Sequence, residues 1–393
     1  MSRTRTLRGQ VAIVGVGESA YFKHGKAPHS EFRLGLQAVL AACADAGINP
    51  TEIDGFASFS KENIEPQRIA AALGLPRLRS SVLQWGGGGG GTAGAVANAA
   101  AAIAAGLADC MVVVRSLAQG QTKRFGQGNS QSTVSGDAAF EVPYGISSPA
   151  QRYAMKAMRF MLEHGVGREA LRAIAMASYH HAQANPRAVM HGRPLDEKTY
   201  DESRWIVEPF RLFDCCMEND GAAALVLVSA ERARDFKAPV YIMGAASGTP
   251  YRTAAPVHND PNYGSAGFSS VADDLYRMAG IGPADVGVVQ SYENFTGGVL
   301  MSLAEHGLFK PSEANAVLQL ENLLAPDGRL PLNTSGGNLA ECYVHGLELV
   351  IEAVRQVRGT STSQAKSHDI GLVIAGPMVA PVSNLLVCSE AAL

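Results

Sequence analysis

The sequence predicts an α/β protein assembled from two similar halves, and three observations carry that reading. Short β-branched runs closed by glycine alternate with helix-length segments, the pattern of buried parallel strands under helical cover. AGINPTEIDGFASF at 46–59 lies over AGIGPADVGVVQSY at 279–292 without a gap, with Ile53 on Val286 and Phe59 on Tyr292, as an internal duplication would leave it. A glycine turn, a helix and a strand also recur. The first copy is Gly86 to Gly91, a small-residue helix to about Ala105, and CMVVV. The second is Gly336-Gly337, an apolar-periodic helix from about Tyr343 to Val357, and IGLVIAG at 370–376.

In chain order, VAIVGVG at 11–17 reads as a buried strand, residues 31–47 as a helix ending at Ala46-Gly47, and Gly55 to Phe59 as a second strand. From about 116 to 210 the composition shifts to Gln, Ser, His, Arg and aromatics. Helices are expected at 149–163 and 168–184, with loops such as RFGQGNSQSTVSGDAAFEVPYG. Such an excursion from a compact core reads as a lid or binding-loop insertion. Ala222 to Val228 returns to the core as a strand. The polar ARDFKAP then marks the break between a first half at 1–235, insertion included, and a second at 236–393.

With 393 residues, 47% hydrophobic and 18% charged, and a net charge of −3, the composition is that of a soluble globular enzyme and excludes a nucleic-acid binder. The six cysteines (43, 110, 215, 216, 342, 388) show no CxxC spacing. That argues against a zinc site or a disulfide framework and points to a reducing cytoplasm. No apolar span long enough for a membrane helix runs without polar interruption, and the run at 11–16 is too short for a signal segment.

Three stretches carry candidate chemistry. In LQWGGGGGGTAGAVANAA (83–100) no lysine follows Gly91, so the glycines are not a phosphate-binding loop. Bare backbone at a helix start admits close approach and offers amide donors, which suits a thioester or enolate oxygen; a tight packing turn is the other reading. In SGGNLAECYVHG (335–346) Gly336 and Gly337 repeat that permission, with Cys342, Tyr343 and His345 at the following helix start. VVQSYENFTGG (288–298) ends a strand in Tyr292, Glu293 and Asn294, where ligand chemistry collects in open α/β sheets. Glu293 reads equally as a base or as an acceptor of nearby backbone hydrogen bonds. The adjacent Cys215-Cys216 pair reads as core packing.

VAIVGVGES, AGINPTEID, AAIAAGLAD, NPRAV, DCCMENDGAAALVLVS, SYENF and NTSGGNLAECYVHG, in this order, resemble the thiolase superfamily over essentially the whole chain, and within it the sterol-carrier or lipid-transfer-protein branch. The resemblance implies duplicated α/β halves packed as five layers, α-β-α-β-α, in a homodimer. It also implies acyl-CoA substrates, with no cofactor in this chain beyond the coenzyme A that belongs to the substrate. The departures are chemical. A thiolase's nucleophilic cysteine falls at about Gly89 or Gly90, and its second cysteine has no counterpart in IAGPMVAPVS. The histidine of the family's GHP motif falls on Tyr343 and the asparagine of its NEAF motif on Tyr292.

Without a thiolate no acyl-enzyme forms, whereas amides and hydroxyls can still hold a thioester enolate, and a retro-aldol cleavage needs only that. Lost cysteines with gained tyrosines are similar to the thiolase-like aldolases of bacterial steroid side-chain degradation. That resemblance implies a 17-hydroxy steroid acyl-CoA cleaved to a 17-ketosteroid and propionyl-CoA, with a small OB-fold and zinc-ribbon partner protein. It implies Tyr292 as base and Tyr343 as enolate or oxyanion donor, or the two exchanged. One phenol is then lowered from its ordinary pKa of about 10. His345, Glu293, Gly89 and Gly90 are implied as supports, and Tyr251, Tyr263, Asn294, Gly336 and Gly337 on the substrate. The first glycine turn is expected to stand open for a bulky ring system. A thiol such as Cys342 reaching Gly89 or Gly90 would instead favour a hydrolase or an acyltransferase-complex subunit; a lipid or acyl-CoA carrier would bind without turnover.

Overall fold

The first strand, β1 (Val11–Glu18), is buried along almost its whole length because helices cover both its faces. Gly15 and Gly17 let α1 (Glu31–Ala46) rest directly on it: a Cβ at Gly17 would lie 2.1 Å from the Ala42 nitrogen. Ser30 starts α1 by accepting from the Arg33 N–H, and left-handed Gly47 (φ 75°) ends it. The computed structural model describes residues 6–121, 133–251 and 262–393. Part of the RFGQGNSQSTVSGDAAFEVPYG loop and residues 252–261, between Tyr251 and Tyr263, lie outside those residues.

Short strands at Phe22–Lys23, Trp205–Val207 and Phe210–Arg211 lie off the main path; the other strands along it are β2 (Gly55–Phe59), β3 (Ser80–Gln84), β4 (Cys110–Ala118), β5 (Asn219–Ser229), β6 (Val240–Gly248), β7 (Val288–Ser291), β8 (Ile370–Ala375) and β9 (Val382–Cys388). They run in the order β7-β8-β9-β6-β1-β5-β4-β2-β3. The duplication is visible in this order. In the first half β2 pairs parallel with β4, β4 antiparallel with β5, and β5 antiparallel with β1. In the second, β7 pairs parallel with β8, β8 antiparallel with β9, and β9 antiparallel with β6. β3 extends the first sheet, and a single parallel bridge from Val289 to Leu332 stands in its place in the second. A short β1–β6 contact joins the two sheets.

The layers follow from which helices touch which strands. α2 (Thr92–Ala104) and α7 (Leu347–Arg358) pack against strands of both sheets and form the middle layer. α1 covers β1, β5 and β4 from outside, and α5 (Val271–Ala279) covers β6 and β9. Both sheets are therefore apolar on both faces. Along β5, Leu225 and Leu227 face the middle layer with Val11, Ile13 and Val350, while Val226 and Val228 face outward with Ala38 and Ala42. The five-layer α-β-α-β-α arrangement and the duplicated α/β halves match the expectation from sequence.

In the insertion, α3 (Pro149–His164) and α4 (Arg168–Ala184) occupy the expected positions, and α6 (Thr296–Glu305) packs against both. One element differs: the helix expected from Tyr343 begins only at Leu347. His345 (φ 54°) and Gly346 (φ 89°) are both left-handed, so the chain cannot continue helically from Tyr343 into α7.

Candidate active site

Tyr292 leaves the end of β7 with its N–H on the Ile374 oxygen at 2.9 Å, which sends its ring into the seam between the halves. There the ring is clasped by two glycines, one from each half. A Cβ at Gly89 would stand 2.1 Å from ring atom Cε2, and one at Gly346 2.8 Å from Cδ2. The first glycine turn is thus filled by a phenol, and the expectation that it stands open is corrected. A thiol-bearing side chain at Gly89 and this ring cannot occupy one place. Gly90 is closed for a different reason, since a Cβ there would lie 2.3 Å from the Pro381 oxygen.

Tyr343 reaches the same point from the other side. After Gly336 the backbone makes a turn of π-helix (Gly337–Glu341), then runs extended at Cys342 toward the two left-handed residues. The Asn219 side-chain oxygen accepts the Tyr343 N–H at 2.5 Å, and the Val344 N–H donates to Glu348 at 3.2 Å. The result is a 2.5 Å hydrogen bond between the Tyr292 and Tyr343 hydroxyls, with ring centroids 5.6 Å apart and planes at 51°. Thr92, at the start of α2, locks the two halves here: its hydroxyl lies 2.9 Å from the Gly89 oxygen and 2.5 Å from the His345 oxygen.

Burial raises the pKa of both phenols well above the ordinary value. For Tyr292 the neighbouring Cys216 pushes further up, while hydrogen bonding with the Tyr343 hydroxyl, to which Tyr292 donates, and with the Gly89 backbone acts in the opposite sense; for Tyr343 the neighbouring Tyr292 phenol pushes further up. The expectation of one phenol lowered below 10 is corrected, since burial outweighs the hydrogen bonding at both. The Cys216 thiol, which sequence reasoning assigned to packing, is a hydrogen-bond partner of Tyr343. Burial drives it up to about 12, so it stays a neutral thiol near pH 7. Cys342 is not at the glycine turn; it pairs with Tyr21, and burial raises its pKa too.

His345 sits edge-on to Tyr343, centroids 5.2 Å apart. Its Nδ1 lies 2.9 Å from Nη2 and 3.3 Å from Nε of Arg115, a residue that sequence reasoning missed. The available signal was an arginine closing the otherwise apolar run CMVVV. Burial, then the Arg115 charge, holds the imidazole well below its usual pKa and so neutral.

Other expected site residues serve the backbone. Glu293 accepts from Ser178 Oγ at 2.5 Å and from the Leu339 N–H at 3.3 Å, beneath the π-turn. Burial raises its pKa to about 7, and the structure favours the acceptor reading over the base. Asn294 donates to the Pro377 oxygen at 3.0 Å and accepts from the Phe295 N–H at 2.9 Å. Gly336 and Gly337 are bare for the protein's own packing: a Cβ would meet Ala182 at 2.8 Å and Glu293 Oε2 at 2.1 Å respectively. Tyr251 is 80% exposed. Tyr263 lines a groove of about 490 Å³ along α3 with Met155, Met158 and Leu162, and neither Tyr292 nor Tyr343 borders that groove.

Comparison with known proteins agrees with this geometry. Residues 252–386 match the family model described as thiolase C-terminal domain-like. The chain is 38% identical over 389 residues to a 17-hydroxy-3-oxo-4-pregnene-20-carboxyl-CoA lyase of Mycobacterium tuberculosis, covering 97% of this chain and 99% of the relative. It is 38% identical over 392 residues to a steroid side-chain-cleaving aldolase of Thermomonospora curvata, covering 98% and 99%. A solved structure described as the Ltp2-ChsH2(DUF35) aldolase superposes with a TM-score of 0.91 at 36% identity, over 99% of this chain and 100% of that one. A neutral phenol pair standing where a thiolase keeps its nucleophile, on a five-layer duplicated fold, belongs with these relatives: the chain is a member of the thiolase superfamily, in the group of the steroid side-chain-cleaving aldolases.

Proposed function

We propose that this chain cleaves the side chain of a 17-hydroxy steroid acyl-CoA by a retro-aldol reaction, giving a 17-ketosteroid and propionyl-CoA with no acyl-enzyme. The observation that carries the reading is the 2.5 Å phenol pair at Gly89. The reaction moves one proton from the β-hydroxyl to Cα. The Cα–Cβ bond breaks, its electron pair forms the thioester enolate, and the hydroxyl carbon becomes the ketone. Two neutral phenols in contact relay that proton without a free phenolate. Tyr292 accepts it from the hydroxyl, supported by the Gly89 N–H, and hands its own hydrogen to Tyr343, which delivers one to Cα. His345 is the donor assigned to the enolate oxygen; the Gly89 amide serves Tyr292, and the Gly90 N–H is bonded to the Gly87 oxygen at 3.0 Å.

Incubating the protein, with and without a candidate partner, with a 17-hydroxy steroid acyl-CoA tests the reading. Release of 17-ketosteroid and propionyl-CoA in equal amounts is expected. A covalent protein–acyl adduct seen by intact mass would overturn it.

The assembly we propose is a homodimer joined along the free edge of β3, where Leu83 is 56% and Trp85 88% exposed, together with a small OB-fold and zinc-ribbon partner protein. A cytoplasmic location fits the six free cysteines. Among the described residues no helix is long and apolar enough to cross a membrane.

A further inference from the structure

We infer that Arg115 is a positioning residue for His345: its guanidinium fixes the imidazole as the tautomer with hydrogen on Nε2, making His345 a permanent hydrogen-bond donor to the thioester oxygen beside the phenol pair. The inference rests on the proposed aldolase reading for the identity of that oxygen, and on geometry alone for the tautomer.

Arginine offers only donors, so a guanidinium with Nη2 at 2.9 Å and Nε at 3.3 Å obliges Nδ1 to accept. The ring hydrogen is then left on Nε2. The arrangement is rigid because Arg115 is itself held. It is 2% exposed, bonds Glu62 Oε2 at 3.1 Å and the Lys61 oxygen at 3.0 Å, and lies over the Phe59 ring at 5.6 Å. Glu62 is anchored in turn by the Ser116 N–H at 2.9 Å and Oγ at 2.7 Å. A chain of contacts from the first half thus ends on an imidazole in the second, whose backbone is separately pinned by Thr92. The charged and titratable groups facing His345 are Arg115 from β4, Glu62 behind it, Tyr343 on its own loop, and Glu348 of α7 on the neighbouring Val344 N–H.

A neutral Nε2–H needs no protonation to donate and reorganises little when charge develops on the oxygen. In an imidazole free to take up a proton or exchange tautomers, donation would depend on pH.

Nitrogen NMR of histidine-labelled protein, with His345 assigned through His345→Gln, reads the tautomer directly in the wild-type protein. In the wild type the expected signature is a single neutral Nε2–H tautomer from about pH 5.5 to 8. A protonated ring or an Nδ1–H tautomer in that range would overturn the inference. In Arg115→Met the single tautomer is lost, kcat falls roughly 100-fold, and the pH–rate profile gains an acid limb; Arg115→Lys recovers part of the rate. A folded Arg115→Met with unchanged imidazole signals and unchanged profile would also overturn it. Should no aldol cleavage be found, the NMR result still decides the positioning, so the two failures are separable.

Discussion

The two glycine turns occupy equivalent places in the duplicated halves, yet one yields space and the other delivers a group. In the first half, β3 leads through Gly88–Gly91 straight into α2, and what matters at Gly89 is the missing Cβ. In the second, the same step is stretched by a π-turn and an extended loop, so that Tyr343 comes out of the helical path to meet Tyr292. The strand ends differ in the same way. Phe59, the counterpart of Tyr292, is fully buried under Arg115 and has no hydroxyl. Duplication supplied two similar scaffolds, and chemistry arose where their side chains stopped matching.

If the hydroxyls are what the asymmetry exists for, removing either is the largest effect available. Tyr292→Phe and Tyr343→Phe should each lower kcat by about 10²- to 10⁴-fold, with circular dichroism and melting temperature close to wild type. Wild-type rates in both would remove the proposed roles.

The next contrast lies within the first turn itself. Gly89→Ala places a methyl into the Tyr292 ring, and displacing a reacting group by about 1 Å can cost about 100-fold in rate. Gly91→Ala meets the Phe59 Cβ at 2.7 Å instead and should cost about 1–3 kcal/mol of stability while sparing kcat in whatever protein folds. Steady-state rates and denaturant titrations on both variants separate the two roles; equal rate losses would mean that the turn acts only as packing.

These contrasts show what the sequence could and could not disclose. The strands, the outer helices and the duplication were readable because burial on two faces leaves uninterrupted apolar runs, and because 46–59 and 279–292 kept their register. The replacement of a cysteine by glycine and of two motif positions by tyrosine was likewise open to inspection. That the phenol fills the bare turn was not, because it depends on where β7 ends relative to Gly89 in space. Glu293 was ambiguous for the same reason, since its acceptor role requires Ser178 of α4 and the Leu339 N–H, far apart in the chain. Residues 343–346 read as helix because their apolar pattern continues that of α7; only the left-handed backbone at His345 and Gly346 breaks it.

The Thr92 hydroxyl ties the unequal turns through hydrogen bonds, touching the Gly89 oxygen on one side and the His345 oxygen on the other. Thr92→Val keeps the shape and removes the hydrogen bond. It should cost about 1 kcal/mol in stability and a smaller loss of rate than Gly89→Ala, read from the same titration and assay. A rate loss as large as that of Tyr343→Phe would mean that the tie, and not the phenol, is what the second loop contributes.

The last contrast concerns the carboxyls that only the second turn possesses, and it is read in stability, not in rate. The first turn of α2 carries no acidic residue, whereas Glu341 and Glu348 flank the Tyr343 loop, and burial raises each to about 8. Glu348 accepts from Asn338 and the Val344 N–H through Oε1, and its Oε2 has no partner among the described residues, as suits a protonated acid. Between the ordinary value of 4.5 and about 8 the folded chain holds protons that the unfolded chain releases. By linkage the contribution is complete below that window, is lost as pH rises through it, and levels off above. Melting temperature should therefore decline between about pH 4.5 and 8, and Glu348→Gln, neutral throughout, should decline less steeply and surpass the wild type at the alkaline end. Parallel curves would place the Glu348 proton elsewhere and leave the second turn no more dependent on protonation than the first.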